Sequence, residues 1–293
     1  MKSFAPIIFF GIIACTSKPQ PTEDYIKEID TWKTERLSAL RGEKGFINLA
    51  GLFWLKEGIN SFGSSNTNSL IFPKEKSEGI MGSFLWANDS VLIIPAKDVV
   101  IVSNGNELTN QQLAYHDSLV KIPEYSYNSL RWTVIKRGDQ YGVRLRDLNH
   151  PMLSNMIPIE YFPLNLSFQV EAQFTPYDPP RYRPTTNVLG MTYDAKIPGI
   201  LSFELGGEHY EFEPNIDGDK LHLRFTDLTT GEETYGLGRY LHIDMPESEG
   251  LVTVDFNKAY NPPCAFTEFA TCPIPPKENH LALKAQVGEK DYH

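Results

Sequence analysis

The stretch Asp255-Phe256-Asn257-Lys258-Ala259-Tyr260-Asn261-Pro262-Pro263-Cys264, followed by Cys272-Pro273-Ile274-Pro275-Pro276 and Asn279, gathers carboxylate, amide, phenol and thiol groups in one place. Prolines at 262, 263, 273, 275 and 276 restrict the backbone, so polar side chains there lose less entropy when they are fixed. Such a loop suits a pre-organised site. Within it Asp255 is a candidate general base and Cys264 a candidate nucleophile, the thiol needing a base and a depressed pKa. His242 and His280 are the imidazoles available to the thiol, and Asp227 or Asp244 could pair with Asp255. With 37 Asp and Glu residues in the chain, any one carboxylate pair is a weak choice. Cys264, Cys272 and His280 have a spacing unlike closed zinc sites, so no metal is inferred. The chain has no Gly-x-Ser-x-Gly elbow, no His-Glu-x-x-His, no Walker-type loop and no nicotinamide, flavin or haem fingerprint. No cofactor is inferred.

Arginines are the second chemical signal. Arg144, Arg146, Arg181, Arg183, Arg224 and Arg239 sit in the strand-rich part of a chain whose net charge is −10. Arg144 and Arg146 share one strand face by the period of two. Arg144, Arg146 and Arg239 with Asp255, Asn257, Tyr260, Asn261 and Asn279 form the candidate ligand-binding set, suited to an anionic or polyhydroxylated molecule. The competing reading pairs each arginine with an acidic neighbour such as Asp147 or Asp227, where it only braces a turn. The acidic balance disfavours a sequence-independent role on nucleic acid.

Around these residues the pattern is mainly β. Apolar residues at Tyr25, Ile29, Trp32, Leu37 and Leu40 predict one helix, placed over residues 24–44, with Thr22 as its N-cap and an acidic first turn. Short runs then follow, split by turn residues. Residues 45–150 are expected to form a β-sandwich, with strands including Ile47–Leu55, Leu130–Arg137 and Tyr141–Asp147. Residues 158–293 are expected to form a second antiparallel β domain that shares or abuts the first core. Its strands include Phe168–Phe174, Gly199–Leu205, Leu221–Asp227 and Glu233–Leu241.

The chain start carries an address. Lys2, an apolar run from Phe4 to Ala14 and then Cys15 resemble a bacterial lipoprotein signal, too short to span a bilayer as a permanent helix. The expectation is a signal peptide at 1–14, lipidation of Cys15 and a tether over 15–23. The protein would then be lipid-anchored in the bacterial cell envelope, facing the periplasm or the exterior, with the membrane as its partner. With Cys15 modified, Cys264 and Cys272 are the pair available for a disulfide.

The C-terminal signature resembles the bacterial domain of unknown function family 1684, with further matches at Arg144, Asp147, Phe225 to Thr229, Tyr235, Gly238-Arg239-Tyr240 and a closing Gly288-Glu289-Lys290. By this resemblance the family spans about Trp32 to Lys290, and His280 stands where an arginine is commoner. The resemblance brings no activity with it. More loosely, Leu55 to Asp147 is similar to the forkhead-associated sandwich. Gly63 is followed by Ser64 and Ser65 and not by the arginine that grips phosphothreonine, so phosphopeptide binding is not implied. The preferred reading is an envelope lipoprotein that binds a small polar or glycan-like ligand through the loop from Asp255 to Asn279. A hydrolase using the same pocket and a structural clamp are the alternatives.

Overall fold

The computed structural model describes residues 20–292. Cys15 and the signal segment lie outside the described residues. The helix runs over Glu23–Arg41, and Thr22 Oγ1 accepts from the Tyr25 amide at 3.2 Å as its cap. It ends earlier than expected, because Gly42 leaves the helical region. Residues 42–44 belong to the turn that follows. Tyr25, Ile29 and Leu40 are its buried face.

Residues beyond the helix build a mainly β protein in two regions. In the first, one antiparallel sheet runs Leu49–Trp54, Gln140–Asp147, Leu130–Arg137, Tyr125–Tyr127, Val102–Ser103 and Asn106–Glu107. The facing sheet runs Leu70–Ile71, Gly58–Gly63, Gly82–Ala87, Ser90–Pro95 and Gln112–Tyr115, and its Leu70–Ile71 strand pairs in parallel. Between them lies a core that includes Phe62, Phe72, Phe84 and Trp132.

The second region has its own core around Phe203, Phe212, Phe225 and Phe256, so the two halves abut and do not share one interior. One of its sheets is ordered Glu208–Phe212, Thr192–Leu205, Gln169–Thr186 and Gly250–Asp255. The other comprises Asn215–Asp217, Lys220–Asp227 and Arg239–Asp244, with His280–Leu281 added in parallel. The strand expected at Phe168–Phe174 extends to Thr186 despite four prolines, because the pairing slips between Pro176 and Arg181, where three of them fall, while Pro184 pairs with Asp194.

Period two decides which side chains leave the core. Tyr141, Val143 and Leu145 point inward on Gln140–Asp147, which turns Arg144 and Arg146 to the other face. Leu221, Leu223 and Phe225 do the same on Lys220–Asp227 and turn His222 and Arg224 outward. The register then sets His222 beside His242 and Arg224 beside Tyr240.

Candidate functional site

Those outward faces meet in a cavity of about 420 Å³. Arg137 and Arg144 reach it from the first region, Arg224, His222, Tyr240 and Asn215 from the second, and Tyr193 and Lys196 from the Thr192–Leu205 strand. Pro263, Ala270, Thr271, Cys272 and Pro273 of the proline-rich loop close one side.

The charges inside are not compensated. Arg137 Nε and Arg144 Nη2 both donate to Thr271 Oγ1, at 3.1 and 3.4 Å. Arg224 donates to the Ile274 carbonyl at 3.3 Å and to Asn215 Oδ1. Each of these acceptors is neutral, and among the described residues no carboxylate pairs with Arg137, Arg144, Lys196 or Arg224. Arg144 Nε is buried without any partner. Burial, then the neighbouring Arg137 and Arg146, pull the Arg144 guanidinium well below its usual range, to about 10. Asp217 is the one carboxylate in the lining, and it faces His242 Nε2 at 3.2 Å.

His222 is fixed by rings on two sides. It stands edge-on to Tyr240 at 4.7 Å and stacks on His242 at 4.9 Å. Burial first, then the His242 and Arg224 charges, lower its pKa from 6.5 to about 3. Between those two pH values the unfolded chain binds a proton that the folded chain refuses, so stability falls as pH drops through the window. His222→Phe is therefore expected to remove about 2 kcal/mol of the stability lost between pH 7 and pH 4.5. Urea midpoints of both proteins at the two pH values check this, and equal losses would remove His222 from the acid response.

Arg144 is the member of the predicted binding set that lines the cavity. Arg146 instead holds the carbonyls of Gly45 and Lys44. Arg239 forms a fully buried ion pair with Asp227 at 2.8 Å. Both Asp255 oxygens accept from Tyr25 Oη, and Oδ1 also accepts the Asn257 amide at 3.0 Å. Asp255 is thus buried among protein donors and does not line the cavity. Asn257 exchanges two bonds with the Asn165 backbone, and Asn279 ties Glu213 to Arg224 in the same manner. Asn261 donates to the Lys290 carbonyl, while Tyr260 lies under Arg36 and its hydroxyl meets His242 Nδ1 at 3.0 Å. These polar residues form an internal clamp, and the neighbouring turn 263–273 is what borders the cavity.

Arg181 and Arg183 follow the bracing reading through Glu213, and Arg239 follows it through Asp227. Arg144 and Arg224 do not. Sequence reasoning missed Arg137, Lys196, His222, Asn215 and Thr271 as members of the site. One signal was legible for His222: it alternates with the same apolar residues that expose Arg224.

Cys264 and Cys272 are two unbridged thiols held side by side, with the Cys264 amide donating to Cys272 Sγ at 3.1 Å. The Cys272 hydrogen bond lowers the Cys264 thiol, and the same contact with burial pushes Cys272 up. His280 lies at Thr226, 2.9 Å from its hydroxyl. Among the described residues no group of three or more His, Cys, Asp and Glu could hold a metal.

The closing Gly-Glu-Lys now has a physical account. Gly288 has φ +72°, and a Cβ there would sit 2.4 Å from the Ala259 carbonyl oxygen. That close approach lets the Glu289 amide reach the Ala259 carbonyl and the Glu289 carboxylate reach the Asn261 amide and Arg36.

Residues 156–290 match the family described as "Protein of unknown function (DUF1684)". The DUF1684 segment covers the second β region, the proline-rich loop and the Gly-Glu-Lys end. It begins well after Trp32, so Arg144 and Asp147 lie outside the matched residues. An uncharacterised protein of Haloarcula marismortui, solved by NMR, shares 28% identity over 47% of this chain and 78% of its own, with a TM-score of 0.40. The FHA domain of FhaA, crystallised in complex with an intracellular domain, shares 12% identity over 32% of this chain and 97% of its own, with a TM-score of 0.22. No curated protein matches the chain.

Proposed function

We propose that this protein is a membrane-tethered envelope lipoprotein that binds a small oxyanion in the cavity between its two β regions. One observation carries the binding half: Arg137, Arg144 and Arg224 face the same cavity and all lack a carboxylate partner, in a chain with ten more acidic than basic residues. Keeping three guanidiniums together without counter-ions costs stability, and an anion of suitable size offsets that cost through charge-assisted bonds. Phosphate and carboxylate both fit the planar forks of arginine. The test is calorimetric titration of the full chain with inorganic phosphate and with citrate. Saturable binding of either that weakens with salt supports the reading, and heat of dilution alone refutes it.

The tether half rests on the residues preceding Cys15. The helix begins at Glu23, so residues 15–22 leave a stalk of roughly 27 Å at most between a lipid on Cys15 and the folded body. Cys15→Ser is expected to move the protein from the membrane fraction to the soluble fraction and to remove the acyl mass from its N-terminal peptide. Fractionation with mass spectrometry checks it, and an unmodified wild-type Cys15 would end the lipoprotein reading.

A further inference from the structure

We infer that the occupant of the cavity is a hydroxylated oxyanion, a sugar-like molecule bearing a phosphate or carboxylate, whose hydroxyl donates to a ring nitrogen of His222 while the arginines hold the charged group. This rests on the oxyanion reading above and adds to it the class of the ligand.

The argument is an inventory of donors and acceptors. Arg137, Arg144, Arg224 and Lys196 only donate. Thr271 Oγ1 already accepts from two arginines, which leaves its hydrogen to donate as well. Asn215 Oδ1 is taken by Arg224, and the Pro273 carbonyl is taken by Tyr240 Oη at 2.6 Å. What remains for a ligand's donor is His222, the Tyr193 hydroxyl and the outer oxygen of Asp217. Among the described residues neither ring nitrogen of His222 has a hydrogen-bond partner, although the ring is clamped by Tyr240 and His242. A neutral imidazole keeps one nitrogen as an acceptor. Burial first, then the facing His242 and Arg224 charges, keep it neutral across the physiological range against the opposing pull of Asp217. A fully deprotonated anion offers only acceptors: it can take the ring N–H of His222 but leaves the acceptor nitrogen without a partner. A molecule with an anionic head and hydroxyls on its body satisfies both walls of the cavity at once. The space fits it too, because about 420 Å³ exceeds what a lone phosphate fills and lies in the range of sites for small metabolites.

Two matched pairs of probes test this by calorimetry on the full chain: glucose 6-phosphate against propyl phosphate, and glucuronate against cyclohexanecarboxylate. The expected result is that the hydroxylated member of one pair binds about five- to tenfold tighter, the worth of one added hydrogen bond. Whichever pair shows the preference identifies the head group. His222→Phe keeps an aromatic ring at the position and is expected to erase that preference. His222→Gln, which restores an acceptor, is expected to recover it. Equal affinities within both pairs, or a preference that survives in His222→Phe, overturn the inference while inorganic phosphate still binds. If inorganic phosphate and citrate also fail to bind, the oxyanion reading falls and this inference falls with it.

Discussion

Asp227→Ala is expected to cost the folded protein about 3–5 kcal/mol, the largest single effect of any substitution considered for this chain. Asp227 and Arg239 are each 1% exposed at the side chain and pair at 2.8 Å. The guanidinium also donates to the carbonyls of Ala285 and Val287, and Asp227 Oδ1 accepts the Thr229 amide at 2.7 Å and the Ala285 amide at 3.3 Å. The pair therefore stitches the 285–289 segment to the Lys220–Asp227 strand. Removing the carboxylate leaves a buried cation with carbonyls alone, and the penalty is that of an uncompensated charge. The double replacement Asp227→Leu with Arg239→Met removes both charges and is expected to cost less than either single change. Urea unfolding of the three variants measures this. A loss below about 1 kcal/mol for Asp227→Ala would mean that water reaches a site this structure shows as closed.

Arg144→Met should act in the opposite direction on stability while removing function. The unfolded guanidinium keeps its proton well above pH 10, whereas the folded one releases it at about 10, so near neutral pH both are charged and the charge burdens only the folded form. Replacing it by an apolar side chain of similar length relieves that burden, by on the order of 1–2 kcal/mol once residual solvation is allowed for. The same change removes a fork from the anion site, and phosphate affinity is expected to fall at least about tenfold, the loss of one charge-assisted contact. Thermal unfolding with and without phosphate reads both effects together. The variant should melt higher than wild type in the absence of anion and lose most of the upward shift that phosphate gives wild type. A variant that melts lower and still responds fully to phosphate would mean that Arg144 is a structural brace like Arg239.

These two arginines show what the sequence could and could not convey. Arg144 sits in a strand whose apolar alternation is plain, so its face was legible with the strand, whereas the strand expected at Glu233–Leu241 runs over Arg239–Asp244. Whether an arginine meets a carboxylate depends on pairing between distant strands. Arg239 finds Asp227 only because Lys220–Asp227 and Arg239–Asp244 are neighbours, and Arg144 finds none because its face turns toward another region. Asp255, Asn257, Asn261 and Asn279 were read as ligand-facing because polar side chains on a rigid loop resemble a prepared site. A rigid loop needs the same side chains to satisfy its own buried backbone, and here that demand takes them. The helix cap and the strand alternation were visible because they are local. The long strand over Gln169–Thr186 was hidden by its prolines, which mark breaks in isolation, three of them falling at a slipped register in context.

The first helix is held by the last residues of the chain. Arg36 bonds Glu289 at 3.1 Å across 253 positions, and Tyr25 bonds Asp255 across 230. Other contacts of the helix lie earlier in the chain: Arg41 donates to the Leu153 carbonyl at 2.7 Å, and Trp32 meets Tyr161 edge-on at 6.2 Å. The bonds of Tyr25 and Arg36 therefore form only once residues 255 and 289 have been made. Docking of the helix thus proceeds in steps, with the contacts at Asp255 and Glu289 following those at Leu153 and Tyr161.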